Sequence, residues 1–120
     1  MECKLRTKAQ SQESAIVNDW GSLTWLSSKE LTDNNLTLGR VIIKPGESNP
    51  RHAHDSCEEV LYLLQGELTH TFGEESVEMK AGDTLVVPGG VMHNATNTGD
   101  VDADMMVAYS SGERDFRKED

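Results

Sequence analysis

Pro45-Gly46-Glu47-Ser48-Asn49-Pro50-Arg51-His52-Ala53-His54-Asp55-Ser56-Cys57-Glu58-Glu59 sets two imidazoles two residues apart and brings carboxylates in shortly after. In an extended strand, side chains at i and i+2 share a face, so His52 and His54 project together. Two neutral imidazoles plus a carboxylate on one side of a cavity make a site for a divalent transition metal. Glu59 lies five residues beyond His54, an odd separation that would turn it away in one unbroken strand. The intervening Asp-Ser-Cys-Glu must therefore bend the chain, and these polar, turn-prone residues suit a bend.

Outward from this stretch, strand signals recur and helix signals are scarce. On the N-terminal side, Ser22–Leu26 alternates and Leu36–Lys44 is a longer strand ending at the turn pair Pro45-Gly46, while Ser27–Leu31 suits one short helical turn. On the C-terminal side, Val60–Gln65 is almost wholly apolar, which implies burial on both faces. Glu67–Phe72, Ser76–Met79, Thr84–Val87, about Val91–Thr96 and Ala103–Tyr109 follow, each bounded by Gly, Pro or Asn turns. About eight short strands with such punctuation predict an all-β sandwich or small barrel. Residues 15–111 are read as one domain, flanked by a polar, loose N-terminal arm (1–14) and a charged, solvent-facing tail (112–120).

A third imidazole, His93, follows Pro88-Gly89-Gly90, a tight turn that re-aims the backbone, and Asn97 stands four residues later on the same face. Two patterns here resemble known motifs. Gly46-x5-His52-x-His54-x4-Glu59-x6-Gly66 is similar to the first cupin motif, and Gly82-x5-Pro88-x-Gly90-x2-His93-x3-Asn97 to the second, with fifteen residues between them. The resemblance implies a double-stranded β-helix, or jelly-roll cupin barrel. It also implies one divalent metal (Fe, Mn, Ni, Cu or Zn) held inside by His52, His54, Glu59 and His93. Glu58 is the rival carboxylate, and the six residues before Gly66 favour Glu59. Three imidazoles and one carboxylate leave one or two coordination positions open, as a catalytic site requires.

Strand parity extends the site. If Glu59 faces inward, so do Leu61 and Leu63, and Leu61 becomes a candidate substrate contact. Val60, Tyr62 and Leu64 then face outward and need covering, which predicts a homodimer. Arg40 is either an anion-binding group inside the barrel or an exposed edge residue. Tyr109 is a further substrate candidate, because Tyr109–Phe116 is loosely similar to the chain end of small cupins acting on unsaturated uronates; the spacing differs, and Glu59 stands where those often carry Gln. His70, on the Leu68/Phe72 face, reads as a core or interface histidine. Cys57 reads first as a small turn residue and second as a reactive thiol, and Trp20 and Trp25 first as packing residues and second as substrate contacts, while Asn97 either bonds backbone or orients a ligand.

The charge of −10, from 21 acidic against 11 basic residues, repels phosphate backbones and anionic lipid, so neither nucleic acid nor membrane is expected as a partner. The first twenty residues carry no apolar run, and two unpaired cysteines fit a reducing compartment, so a cytoplasmic protein is expected. The expected function is a metal-dependent enzyme on a small organic substrate, with Glu59 moving protons. Dioxygenase-type C–C cleavage comes first and isomerase or lyase chemistry second; the alternative is a non-catalytic module that binds a sugar or metabolite through the metal.

Overall fold

The computed structural model describes residues 3–32 and 35–120. Eleven strands form in the described residues: β1 (Ile16–Asn18), β2 (Gly21–Ser27), β3 (Thr37–Ile43), β4 (His52–Ala53), β5 (Glu59–Gln65), β6 (Glu67–Phe72), β7 (Glu75–Lys80), β8 (Thr84–Val87), β9 (His93–Asn97), β10 (Ala103–Tyr109) and β11 (Arg117–Lys118). Two short helices, α1 (Lys8–Gln12) and α2 (Lys29–Thr32), flank β1 and β2. The strands make two sheets, in the orders β1-β2-β3-β10-β5-β8 and β11-β4-β9-β6-β7, with every pairing antiparallel. This is the jelly roll that the motifs imply. No helix among the described residues is long and apolar enough to cross a membrane.

Alternation explains why the sheets face each other. Along β3 the buried residues are Thr37, Gly39, Val41 and Ile43, and along β10 they are Ala103, Met105, Val107 and Tyr109. These meet Leu68, Met79 and Ala95 from the second sheet in one core. Gly39 is required by close approach: a Cβ there would stand 2.8 Å from the Trp25 ring, so the missing side chain makes room for the indole. Trp25 in turn packs edge-on against Tyr109, with ring centroids 6.1 Å apart.

Three expectations need correction. Within the single chain Val60–Leu64 is buried on one face only; Val60, Tyr62 and Leu64 remain 38, 42 and 46% exposed, because nothing among the described residues covers the outside of the larger sheet. The N-terminal arm is not loose throughout. Thr7 and Gln10 form a reciprocal capping box that starts α1, and Ser14 then bonds the backbone of Trp25 in both directions. The charged tail is not merely solvated: β11 pairs with β4, the strand that carries His52.

Candidate metal centre

Each candidate ligand is placed by a different feature of the chain. His52 and His54 share a face as the i, i+2 spacing requires, with ring centroids 4.8 Å apart. His93 opens β9 directly opposite His52 in the β4–β9 pairing. Glu59 opens β5 in the other sheet, so residues 55–58 carry the chain from one sheet to the other. That crossing is the bend the odd His54-to-Glu59 spacing demands. It also decides the carboxylate, since Glu59 is buried and Glu58 is exposed. One donor atom from each of His52, His54, Glu59 and His93 lies within 4.8 Å of the others, and all four residues are buried.

The backbone sets the tautomers. His52 Nδ1 donates to the Pro50 carbonyl at 2.7 Å, His54 Nδ1 to the Asp115 carbonyl at 2.6 Å, and His93 Nδ1 to the Val91 carbonyl at 3.0 Å. A carbonyl oxygen only accepts, so each Nδ1 carries the proton and each Nε2 is turned toward the centre as a potential ligand. His93 Nε2 lies 3.0 Å from Glu59 Oε1. His54 Nε2 lies 3.4 Å from the same oxygen, outside hydrogen-bonding geometry, and is buried without a partner.

The charge pattern follows. Burial pushes the Glu59 carboxyl up, but the imidazoles of His54 and His93 outweigh it and hold the group at about 2. Burial pulls His93 down, and its contact with Glu59 reverses that to a net rise. Burial lowers His52 to about 4, so it is a neutral imidazole at pH 7. An ionised carboxylate facing buried Nε2 atoms, one of them orphaned, suits a divalent transition metal.

The cluster opens into a cavity of about 290 Å³ whose lining includes His52, Glu59 and His93. Leu61 and Tyr109 line it. Burial and the neighbouring Glu59 raise the Tyr109 hydroxyl well above its usual range, so it stays a neutral phenol. Arg40 does not reach the cavity: strand parity turns it to the outer face, where its guanidinium pairs with Asp104. Asn97 takes the backbone branch of its two readings, donating to the carbonyls of Ile43 and Val101. Cys57 is a buried thiol whose pKa is raised by desolvation, which suits a packing role.

Arg114 and Phe116 escaped the sequence reading as site residues, and Trp20 and His70 were read first as packing residues. Trp20 and His70 line the wall, and His70 stacks on His93 at 5.5 Å between centroids. Its parity with Leu68 already pointed it inward. Phe116 stacks on His52 at 4.8 Å, and the Arg114 guanidinium sits 4.5 Å from the Trp25 ring centroid. Both come from the tail, where no periodic pattern announces an inward side chain.

Comparisons agree with this architecture. The sequence model of the family described as Cupin domain matches residues 39–109. Germin-like protein 3-5 of Oryza sativa subsp. japonica is 37% identical over 84 residues, covering 63% of this chain and 37% of its own length. Nectarin-1 of Nicotiana langsdorffii x Nicotiana sanderae is 30% identical over 112 residues, covering 86 and 49%. The chain thus spans half or less of the length of these curated relatives. Among solved structures, an oxalate oxidase superposes with TM-score 0.75 at 25% identity, over 84% of this chain and 56% of that one. The oxalate decarboxylase of Lactobacillus farciminis gives 0.80 at 19% identity, over 87 and 32%. A double-stranded β-helix protein of Klebsiella pneumoniae subsp. pneumoniae gives 0.80 at 18% identity, over 99% of both chains. The last two are likenesses of fold.

Proposed function

The chain belongs to the Cupin domain family, and from that premise we propose that it is a metal-dependent enzyme acting on a small carboxylate, with dioxygen-dependent C–C cleavage as its first chemistry. The observation that carries this reading is the buried donor set of His52, His54, Glu59 and His93 beside a largely apolar cavity. When bound, a redox-active divalent metal supplies a Lewis acid and an electron relay with positions left for substrate. The three Nε2 atoms and one Glu59 oxygen would hold it. Glu59 is the residue that would take a proton from a bound substrate and return it. Leu61, Val41 and Val107 exclude water from the wall, and Tyr109 offers a neutral hydroxyl. A carboxylate is favoured because the Arg114 guanidinium reaches the same cavity and pairs with no carboxylate among the described residues. The oxalate oxidase that superposes at 25% identity supports the same class.

Elemental analysis of protein purified without added metal is expected to find about one transition metal per chain, lost in His52→Ala and His93→Ala. Sub-stoichiometric metal, unchanged by either substitution, would overturn the site. With iron, manganese or copper found, an oxygen electrode reads uptake against small mono- and dicarboxylates, diketones and catechols. Turnover without oxygen uptake, seen as proton exchange by NMR, would replace cleavage by isomerase or lyase chemistry. Saturable binding without turnover would make the protein a binding module. Glu59→Gln keeps the volume but removes the charge, and it should weaken metal binding about ten-fold or more.

The reading extends to assembly and compartment. Two copies pair through the exposed outer face of β3, β10, β5 and β8. Cys3 and Cys57, both free thiols, fit a reducing cytoplasm.

A further inference from the structure

The segment after β10 makes more contacts with the ligand-bearing loop than a solvated tail would. The Asp115 carboxylate accepts from the backbone N–H of Asp55 at 2.7 Å and of Ser56 at 2.8 Å, and from the Ser56 hydroxyl. Its own carbonyl accepts from His54 Nδ1 at 2.6 Å, which is the bond that turns the orphaned His54 Nε2 toward the donor cluster. Arg117 grips the Asp55 carboxylate with two bonds, at 2.7 and 3.0 Å. Beyond it, the Glu119 N–H donates to the Arg51 carbonyl at 3.0 Å. Between these anchors Phe116 lies flat on His52, with an interplanar angle of 21°. The bend at 55–58 thus has a clamp from outside the barrel, and that clamp also sets one ligand's tautomer.

We propose that Asp115 is a positioning residue for the metal centre, and that residues 114–119 form a strap whose docking and metal binding reinforce each other. This rests on the metal reading of the site and not on any reaction. Without the strap, residues 55–58 lose three hydrogen bonds to one carboxylate, and His54 loses the acceptor that keeps its Nδ1 protonated. The imidazole is then free to rotate or change tautomer, so a metal must spend binding energy on ordering it. Linkage makes the effect reciprocal: a metal that binds better with the strap docked must hold the strap down by the same factor.

Two measurements on the full chain test this. Zinc titration by calorimetry is expected to show affinity falling about ten- to a hundred-fold in Asp115→Ala, with Asp115→Asn partly rescuing it because an amide oxygen still accepts. Limited trypsin cleavage at Arg114, Arg117 and Lys118 is expected to slow on zinc addition to wild type, and to slow much less in Asp115→Ala. The melting temperature without metal shows whether each variant folds, and the wild-type cleavage assay stands even where a variant does not. If wild type binds zinc stoichiometrically but tail cleavage is unaffected, or if Asp115→Ala binds zinc as tightly as wild type, the strap linkage is wrong and the metal site stands. If wild type binds no zinc or other divalent metal, the site reading fails and the linkage with it.

Discussion

His70 shows how one buried side chain can set the acid stability of the barrel. It is 1% exposed, and its Nδ1 bonds its neighbour's carbonyl at 3.1 Å. Burial, reinforced by the nearby His93, holds its pKa near 4 against an ordinary 6.5. The unfolded chain therefore takes up a proton near pH 6.5 that the folded chain refuses until about pH 4. Above pH 6.5 the residue costs nothing. As pH falls from 6.5 toward 4, stability drains away by an amount on the order of 3 kcal/mol from this residue. His52, also held near 4, acts in the same direction and window. Glu59, held low, contributes only at more acid pH, because its unfolded carboxyl titrates near 4.5. Thermal melts of metal-free protein between pH 7 and pH 4 should show a steep loss. His70→Phe should make that loss shallower, even if it lowers stability at pH 7. An acid limb with the same slope in both proteins would contradict the assignment.

Among elements, the contrast between β3 and the tail shows what a sequence can and cannot reveal. In β3, Leu36–Lys44 announces itself by branched apolar residues and a Pro-Gly stop, and the strand occupies Thr37–Ile43. Its inward Gly39 fits against Trp25, so Gly39→Ala would drive a methyl to about 2.8 Å from the ring. The indole must shift, disturbing its contact with Tyr109 and the Arg114 guanidinium above it. Overpacking of this kind costs about 1–3 kcal/mol, a fall of several degrees in melting temperature, with the metal ligands untouched. An unchanged melting temperature would show that the ring has room to move. The tail carries its information differently. Glu113-Arg114-Asp115-Phe116-Arg117 has no apolar period, and a run of charges reads alike whether water or a loop receives it. The two histidines, Glu59 and His93 were legible because coordination fixes residue type and spacing. Arg114 and Phe116 were not, because their position depends on the tail docking onto β4 and the 55–58 loop through contacts some sixty residues apart in sequence. The Thr7/Gln10 capping box was a readable signal passed over in a polar segment.

At the scale of the whole molecule, the open face of the larger sheet is the feature a single chain leaves unexplained. Cross-strand register aligns Leu38, Ala108, Val60 and Val86 in one row, and Arg40, Met106, Tyr62 and Thr84 in the next. Leu38, Val60, Tyr62, Leu64 and Val86 are all among the exposed large apolar residues. Three strands of seven residues and one of four, about 4.8 Å apart, present a footprint of roughly 400 Å², a size at which an apolar patch on a monomer is often functional. A second copy is the occupant that matches it without further assumption, because a two-fold axis brings each row against its own equivalent. The Arg40–Asp104 pair then lies inside the contact, held as a neutral unit. This gives Arg40 a place in assembly in exchange for the one it lacks in the cavity. Light scattering at micromolar concentration should therefore report about twice the 13.2 kDa of one chain. Tyr62→Lys sets like charges against each other near the axis and should return the mass to that of one chain. The donor cluster lies on the opposite side of the sheet, so the zinc stoichiometry of that variant should be unchanged. A wild-type mass of one chain would refute the pairing. A Tyr62→Lys protein that remains a dimer would move the interface elsewhere on the molecule.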